Sequence, residues 1–399
     1  MKAKSGAPLL KGIRVLDFGR YIAGPYCAAM LADLGAEVIR IDKPAGSEDR
    51  YVSPVTVTGE GALFLHCNRN KLGITLDPAH PLGRELARRL IATADVVVAN
   101  LPQGALVQLG LDYPSLVAIK PDIILSSQNA FGSTGPYAGR TGFDGVIQAM
   151  SGATFLSGRP GHPTKSYASW VDFGTAMYAA YGTLAALFHK FRTGDGQLVE
   201  SSLLRSALGI FHFNNVEALL TGNERAPTEN RSQFGGPADL FRTQDGWIQL
   251  QVIGMPLFRR WCRLVGAEDW ADDPRFQTDS ARGENGLLLS ERTQEWCGHY
   301  TTAQALEKLA AAKIPAGPLL APIEVFDDAQ VVETEMLTPV VYPGLAQPAP
   351  LMGLPVQLSA QLTGIVRRPP TLGEHNAEIY GSLGYDEKQL ASLRAAGAI

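Results

Sequence analysis

Between residues 13 and 127, short continuous apolar runs alternate with stretches of helical spacing, and no other feature of this chain constrains its fold as tightly. IRVLDF (13–18), EVIRI (37–41), GITLD (73–77), ADVVVAN (94–100) and PDIILSS (121–127) read as strands. GPYCAAMLADLG (24–35) reads as a helix with Pro25 at its start and Gly35 past its end, and a second helix is predicted over 82–92. Strands that are apolar along their whole length must be covered on both faces. Alternating strand and helix therefore predicts an α/β fold with a parallel, doubly wound sheet.

The remainder divides less regularly. The segment 128–171, rich in Gly, Ser, Thr and Pro, is predicted as loop. A long helix is expected from Phe173 to Arg192, then a tight turn TGDGQ (193–197), a strand in QLVESSL, and a helix over 202–221. Residues 222–238 are polar and turn-rich, as in a linker with a mobile loop. A hairpin pattern, DLFRTQDGWIQLQV (239–252), opens a second unit with helices near 255–265 and 302–312. Prolines crowd 321–372, which suggests a long return connection, and 376–397 has helical spacing.

Composition closes off several functions. The chain of 399 residues carries 35 Lys and Arg against 39 Asp and Glu, a net charge of −4, so it lacks the basic excess that a phosphate backbone demands. Cys27, Cys67, Cys262 and Cys297 form no CxxC pair, and none of the seven histidines forms HExxH, so no metal site is expected. The thiols read as reduced and buried. The start MKAKSGAPLL has no apolar run of the signal-peptide kind, and the apolar stretch Met177 to Phe188 is too short to span a bilayer. A cytoplasmic protein is expected, with no membrane partner.

The chemistry-bearing candidates are few. Neither GxGxxG nor GxxxxGK[ST] occurs, and the turn after the first strand is GRYIAGP. The sheet is Rossmann-like without the usual phosphate loop, which counts against a nicotinamide oxidoreductase. No GxSxG elbow supports a serine hydrolase. His66, His189 and His212 sit among apolar residues and read as core. Asp172 stands at a helix start. It is either an ordinary capping residue, whose oxygen accepts the orphan amides there, or a carboxylate nucleophile kept ionised by the helix terminus. Asp17 closes the first strand at the edge where ligands bind, or serves a turn. Arg40, Lys43, Arg69 and Lys71 are either a phosphate-binding cluster or a solvated surface.

Eight stretches, in order from residue 10 to 379, together resemble the family III CoA-transferases (the CaiB/BaiF family, which includes formyl-CoA transferases and α-methylacyl-CoA racemases). They are LKGIRVLDFGRYIAGPYCAAMLADLGAEVIRIDKPAGSEDR, NRNKLGITLD, ADVVVANLPQGALVQLGLDY, FGSTGPYAGRTGFDGVIQAMSG, the Asp172 helix, TGDGQLVESSL, KIPAGPLL and PPTLGEHNAEI. The resemblance implies an interlocked-ring homodimer. It implies a large Rossmann-like domain over 1–204 completed by 352–399, a linker over 205–230, a small α+β domain over 231–325, and a return linker over 326–351. No permanently bound cofactor is implied; a coenzyme A thioester is the substrate.

By the same resemblance Asp172 is the nucleophile. Ile22, Ala23, Lys43, Leu76, Asn100, Leu101 and Arg140 fall at or beside CoA-contacting positions, Asp144 at an acidic position near the acyl site, and Gly235 and Gly236 in a loop that covers the site. Two departures narrow the activity. Formyl-CoA transferases carry Gln where Ile22 stands, which speaks against oxalate. The racemase branch has His where Phe143 stands, and racemisation needs an acid–base pair. CoA transfer is thus expected, with racemase or isomerase activity, or a non-catalytic CoA-binding protein, as the alternatives. Arg140, Arg159 and Lys165 suggest a second carboxylate on the substrate, as in succinyl-CoA and other dicarboxylyl-CoA esters.

Overall fold

The computed structural model describes residues 7–223, 225–360 and 363–399; most of the N-terminal segment read above for targeting lies outside them. In chain order the first part is β1 (Arg14–Asp17), α1 (Ala23–Asp33), β2 (Glu37–Asp42), α2 (Ala62–Cys67), β3 (Leu72–Thr75), α3 (Pro81–Ala92), β4 (Val96–Ala99), α4 (Gln103–Leu109), α5 (Tyr113–Ile119) and β5 (Ile124–Asn129). The predicted strands and helices are all present. The segment expected as loop instead carries α6 (Asp144–Met150), α7 (Ala153–Leu156) and the short strands β6 (Gly158–Arg159) and β7 (His162–Pro163). Small and polar residues hid these elements, because the segment offers too little apolar periodicity to mark them. Then follow α8 (Trp170–Thr193), β8 (Leu198–Ser202) and α9 (Leu203–Thr221).

The six strands form one sheet in the order β3-β2-β1-β4-β5-β8, and every neighbouring pair is parallel. Alternation along β1 shows why both faces are filled. Val15 joins one core cluster with α1 and α8, and Leu16 joins another with α3, α5 and the C-terminal helices. The order reverses between β1 and β4, which opens a crevice at the carboxyl ends of these strands.

The chain forms two compact units. The first comprises 1–151, 166–216 and 334–399; the second comprises 152–165 and 217–333. The chain thus passes between the units at 151/152, 165/166, 216/217 and 333/334; the first two fall inside the span 1–204 expected as one domain, the third lies later than 204, and the last lies inside the expected return segment 326–351. The stretch 205–221, given as linker by the resemblance and as part of a helix over 202–221 by its spacing, is the body of α9. The second unit holds β9 (Ala238–Arg242) and β10 (Trp247–Gln251), then α10 (Met255–Val265), α11 (Asp279–Glu284), α12 (Gly286–Cys297), α13 (Thr302–Ala311), β11 (Ala316–Pro318) and α14 (Ala329–Glu333). Its antiparallel sheet is ordered β11-β10-β9, and its own core centres on Phe241, Phe258, Trp261 and Phe276.

The first unit is completed by β12 (Leu337–Val340), β13 (Ala349–Met352), α15 (Asn376–Ser382) and α16 (Glu387–Ala395). The C-terminal return is anchored on β3. Asn376 Oδ1 accepts from the Thr75 amide at 2.9 Å, and Tyr380 Oη donates to the Thr75 carbonyl at 2.7 Å. No helix among the described residues is long and apolar enough to cross a membrane.

Candidate active site

A cavity of ≈ 330 Å³ opens at the carboxyl ends of β1, β4 and β5. The residues after β1 (Arg20, Tyr21, Ile22, Ala23), those after β4 (Asn100, Leu101), Gln128 in β5, and Arg140 with Phe143 ahead of α6 all line it, and Asp172 projects from α8. Five sequence-derived candidates therefore share one wall with Asp172: Ile22, Ala23, Asn100, Leu101 and Arg140.

The others are not among the residues that line the cavity. Leu76 is 1% exposed inside the core cluster and does not line the cavity. Lys43 is exposed and ion-paired with Glu48. Gly235 and Gly236 belong to the second unit, at the entry to β9, and Arg159 and Lys165 also fall in that unit. Asp144 is buried and bonded to backbone, as described below, and is not a lining residue.

Asn100 ties the loop between β1 and α1 to the end of β4. Asn100 Oδ1 accepts from the Arg20 amide at 2.6 Å, and Asn100 Nδ2 donates to the Arg20 carbonyl at 2.7 Å. Both ends of its carboxamide are thus engaged on protein. The approach to Gly24 is close: a Cβ there would lie 3.1 Å from Asn100 Oδ1, so the clamp would have to give by a few tenths of an ångström. Just beyond the clamp Tyr21 is held at φ 61°, in the left-handed region, with its ring edge-on to Phe143 at 6.2 Å. Strained backbone of this kind collects at ligand sites.

Asp172 is the third residue of α8. The amides of Val171 and Asp172 both donate to Asp144 Oδ2, at 2.9 and 3.0 Å, and the Phe173 amide donates to the Ser169 carbonyl at 3.1 Å. Capping is thus done by Asp144, so the ordinary capping role considered for Asp172 is already filled. Among the described residues the Asp172 carboxylate has no hydrogen-bond or ion-pair partner. Its charge does not gain from the helix terminus as the sequence suggested, because the nearest amides are consumed by another carboxylate. Burial first, and then repulsion by Asp144, pushes its carboxyl up to about 7.

Asp17, the other candidate carboxylate, is fully buried and bonded to Lys71 Nζ at 2.7 Å. Burial would raise its carboxyl, but Lys71 and then Arg40 more than offset that and hold it below the ordinary carboxylate value. The expected cation cluster is spent in the same way. Arg40 pairs with Asp42 and Asp49, and Arg69 pairs with Asp33, all buried. Arg40, Arg69 and Lys71 therefore form neither a phosphate site nor a solvated surface. Their partners lie up to 54 residues away in sequence, which local reading does not reveal. His189 and His212 are exposed, not core, because the faces of α8 and α9 that carry them are uncovered in the single chain. Only His66 is largely buried, stacked on Tyr26, and burial pushes it down to about 4.

Arg20 and Gln128 are among the lining residues that the sequence did not single out. Arg20 donates to the Phe18, Gly19 and Ile41 carbonyls and has no carboxylate partner among the described residues, which leaves a cation at the cavity wall. Gln128 is 1% exposed; its Nε2 donates to Ser126 Oγ, while its Oε1 has no partner. The available signal was a polar residue at the carboxyl end of a parallel strand.

The model of CoA-transferase family III matches residues 10–376. A succinate–glutarate CoA-transferase of Agrobacterium fabrum is 34% identical over 94% of this chain and 96% of its own. A succinyl-CoA–D-citramalate CoA-transferase of Chloroflexus aurantiacus is 33% identical, covering 97% of both. Among solved structures, a CAIB/BAIF family protein from Brucella suis superimposes with a TM-score of 0.82 at 34% identity, covering 94% of this chain and 99% of that one.

Proposed function

This chain belongs to CoA-transferase family III and is a CoA-transferase, and from that premise we propose that it moves CoA from a dicarboxylyl-CoA such as succinyl-CoA to a free carboxylic acid through an aspartyl-CoA thioester on Asp172. The observation that carries this reading is a carboxylate at a cavity wall with neither a cation nor a hydrogen-bond donor to occupy its lone pairs. A carboxylate so placed keeps its electron density for attack on a thioester carbon.

The proposed steps balance without any external proton or electron. The Asp172 carboxylate attacks the donor thioester carbon and expels CoA thiolate, which leaves a mixed anhydride. The thiolate attacks the Asp172 acyl carbon, forms the aspartyl thioester and releases the donor acid. The acceptor carboxylate attacks that thioester and expels the thiolate again. Attack of the thiolate on the acceptor acyl carbon gives the new acyl-CoA and restores Asp172. Each tetrahedral oxyanion needs donors. The first amides of α8 are already bonded to Asp144 and Ser169, so these donors come from other parts of the wall.

Arg20 and Arg140 support an anionic acyl group or acceptor, since both line the cavity and, among the described residues, Arg20 donates to carbonyls and Arg140 lies over the Tyr137 ring, neither being paired with a carboxylate. Both relatives above are named for succinate or succinyl-CoA paired with a second dicarboxylate, glutarate or D-citramalate. Phe143, which stands where the resemblance puts a histidine in racemases, lines the cavity, and a phenyl ring is no proton carrier. The working form is proposed to be a homodimer. Tyr181, Phe188 and Phe191 of α8 are 75%, 64% and 73% exposed, an apolar face suited to a second copy.

Incubation with succinyl-CoA and a pool of carboxylic acids, read by mass spectrometry, tests the activity. New CoA thioesters from the wild type and none from Asp172→Ala are expected. Full transfer by that variant contradicts the assignment.

A further inference from the structure

Asp172 owes its position to side chains that lie outside the cavity wall. Asp144, the first residue of α6, sends Oδ2 to the amides of Val171 and Asp172 at 2.9 and 3.0 Å. Its Oδ1 accepts from Gln148 Nε2 at 2.5 Å. Gln148, one turn further along α6 and 1% exposed, also donates to the Ala168 carbonyl at 3.2 Å, and its Oε1 accepts from the Ser166 amide at 2.9 Å. Two side chains four residues apart thus bind backbone at 166, 168, 171 and 172, the approach to α8 and its first turn.

We infer that Asp144 and Gln148 form a clamp that fixes the Asp172 carboxylate in the cavity and sets a like charge beside it, so that they act as positioning residues for transfer. The inference rests on Asp172 as the nucleophile and reassigns Asp144, which the sequence had placed among ligand contacts. An ordinary cap would stabilise an acidic residue in the first turn. This cap is itself anionic and takes the amides that would otherwise stabilise Asp172. The other titratable groups on the cavity wall are Arg20, Tyr21 and Arg140, and His66 meets the neighbouring Phe173 ring edge-on at 5.8 Å. After burial, Asp144 is the group that acts on Asp172. The arrangement keeps part of the Asp172 population protonated near neutral pH. It also leaves the ionised form without a partner to quench it.

The test compares Asp144→Asn and Gln148→Leu with the wild type by carboxyl ¹³C NMR titration of Asp172 and by pH profiles of transfer. Asp144→Asn retains an oxygen for both amides but removes the charge. In this variant the Asp172 midpoint should move down by on the order of one pH unit, with the acidic limb of kcat/KM following. Gln148→Leu keeps the charge and loosens the backbone, so kcat should fall on the order of 10–100-fold with the midpoint unmoved. An Asp172 midpoint identical in wild type and Asp144→Asn would overturn the inference, as would unchanged kcat in Gln148→Leu. A midpoint that moves while the acidic limb stays fixed would keep the clamp and remove Asp172 from the nucleophile's role.

Discussion

Asp17 and Asp172 are two carboxylates near the same sheet edge, each in the shelter of the protein, and their surroundings are opposite. Asp17 meets Lys71 Nζ at 2.7 Å and the Gly19 amide at 2.8 Å, so each oxygen is satisfied and the carboxyl is held below its ordinary value. Asp172 meets no cation, loses the helix amides to Asp144, and is pushed up to about 7. The first arrangement stabilises the fold and leaves nothing to react. The second carries a cost in stability and leaves a free nucleophile. Residue type is the same, so partners alone decide the role.

The comparison breaks most visibly in activity. Asp172→Asn should lower transfer by about 10⁴-fold or more, measured as initial rate with succinyl-CoA, because the nucleophile is gone while the cavity shape is kept.

Stability is the next lever, and the two sites should respond with opposite signs. Asp17→Asn strands the buried Lys71 charge and should cost about 3–5 kcal/mol in denaturant unfolding. Asp172→Asn should stabilise the protein by about 2–4 kcal/mol at pH 8. The sign follows from linkage. The folded carboxyl, raised from 3.8 to about 7, binds a proton that the unfolded chain has already lost, so wild-type stability falls as pH rises between those values. The gain from Asn should therefore vanish near pH 4 and level off above pH 7.

Smaller effects sharpen the contrast between clamp and surface. Asn100→Ala frees the Arg20 backbone and the strained Tyr21, and should lower kcat/KM on the order of 10-fold in a substrate titration. Lys43→Met removes an exposed ion pair and should change unfolding free energy by less than about 1 kcal/mol.

The sheet was legible because strands buried on both faces leave continuous apolar runs, and β1 to β5 do so in sequence order. Asp172 was legible as a helix-start acid followed by small residues. Its partner was not, since Asp144 lies 28 residues upstream in a segment whose glycines and polar residues concealed α6. The cations misled for the same reason: Arg69 and Asp33 are 36 residues apart, and only the folded sheet brings them together. Exposed apolar residues on α8 share the periodicity of a buried helix, so spacing could not tell which face the chain leaves uncovered.

The central claim is a covalent bond at Asp172, and peptide mapping by mass spectrometry after brief exposure to succinyl-CoA reads it directly. A CoA adduct confined to the peptide that contains Asp172, chased off by an acceptor acid and missing in Asp172→Asn, is the predicted result. Turnover that proceeds with no adduct on that peptide, and that survives in Asp172→Asn, would contradict it.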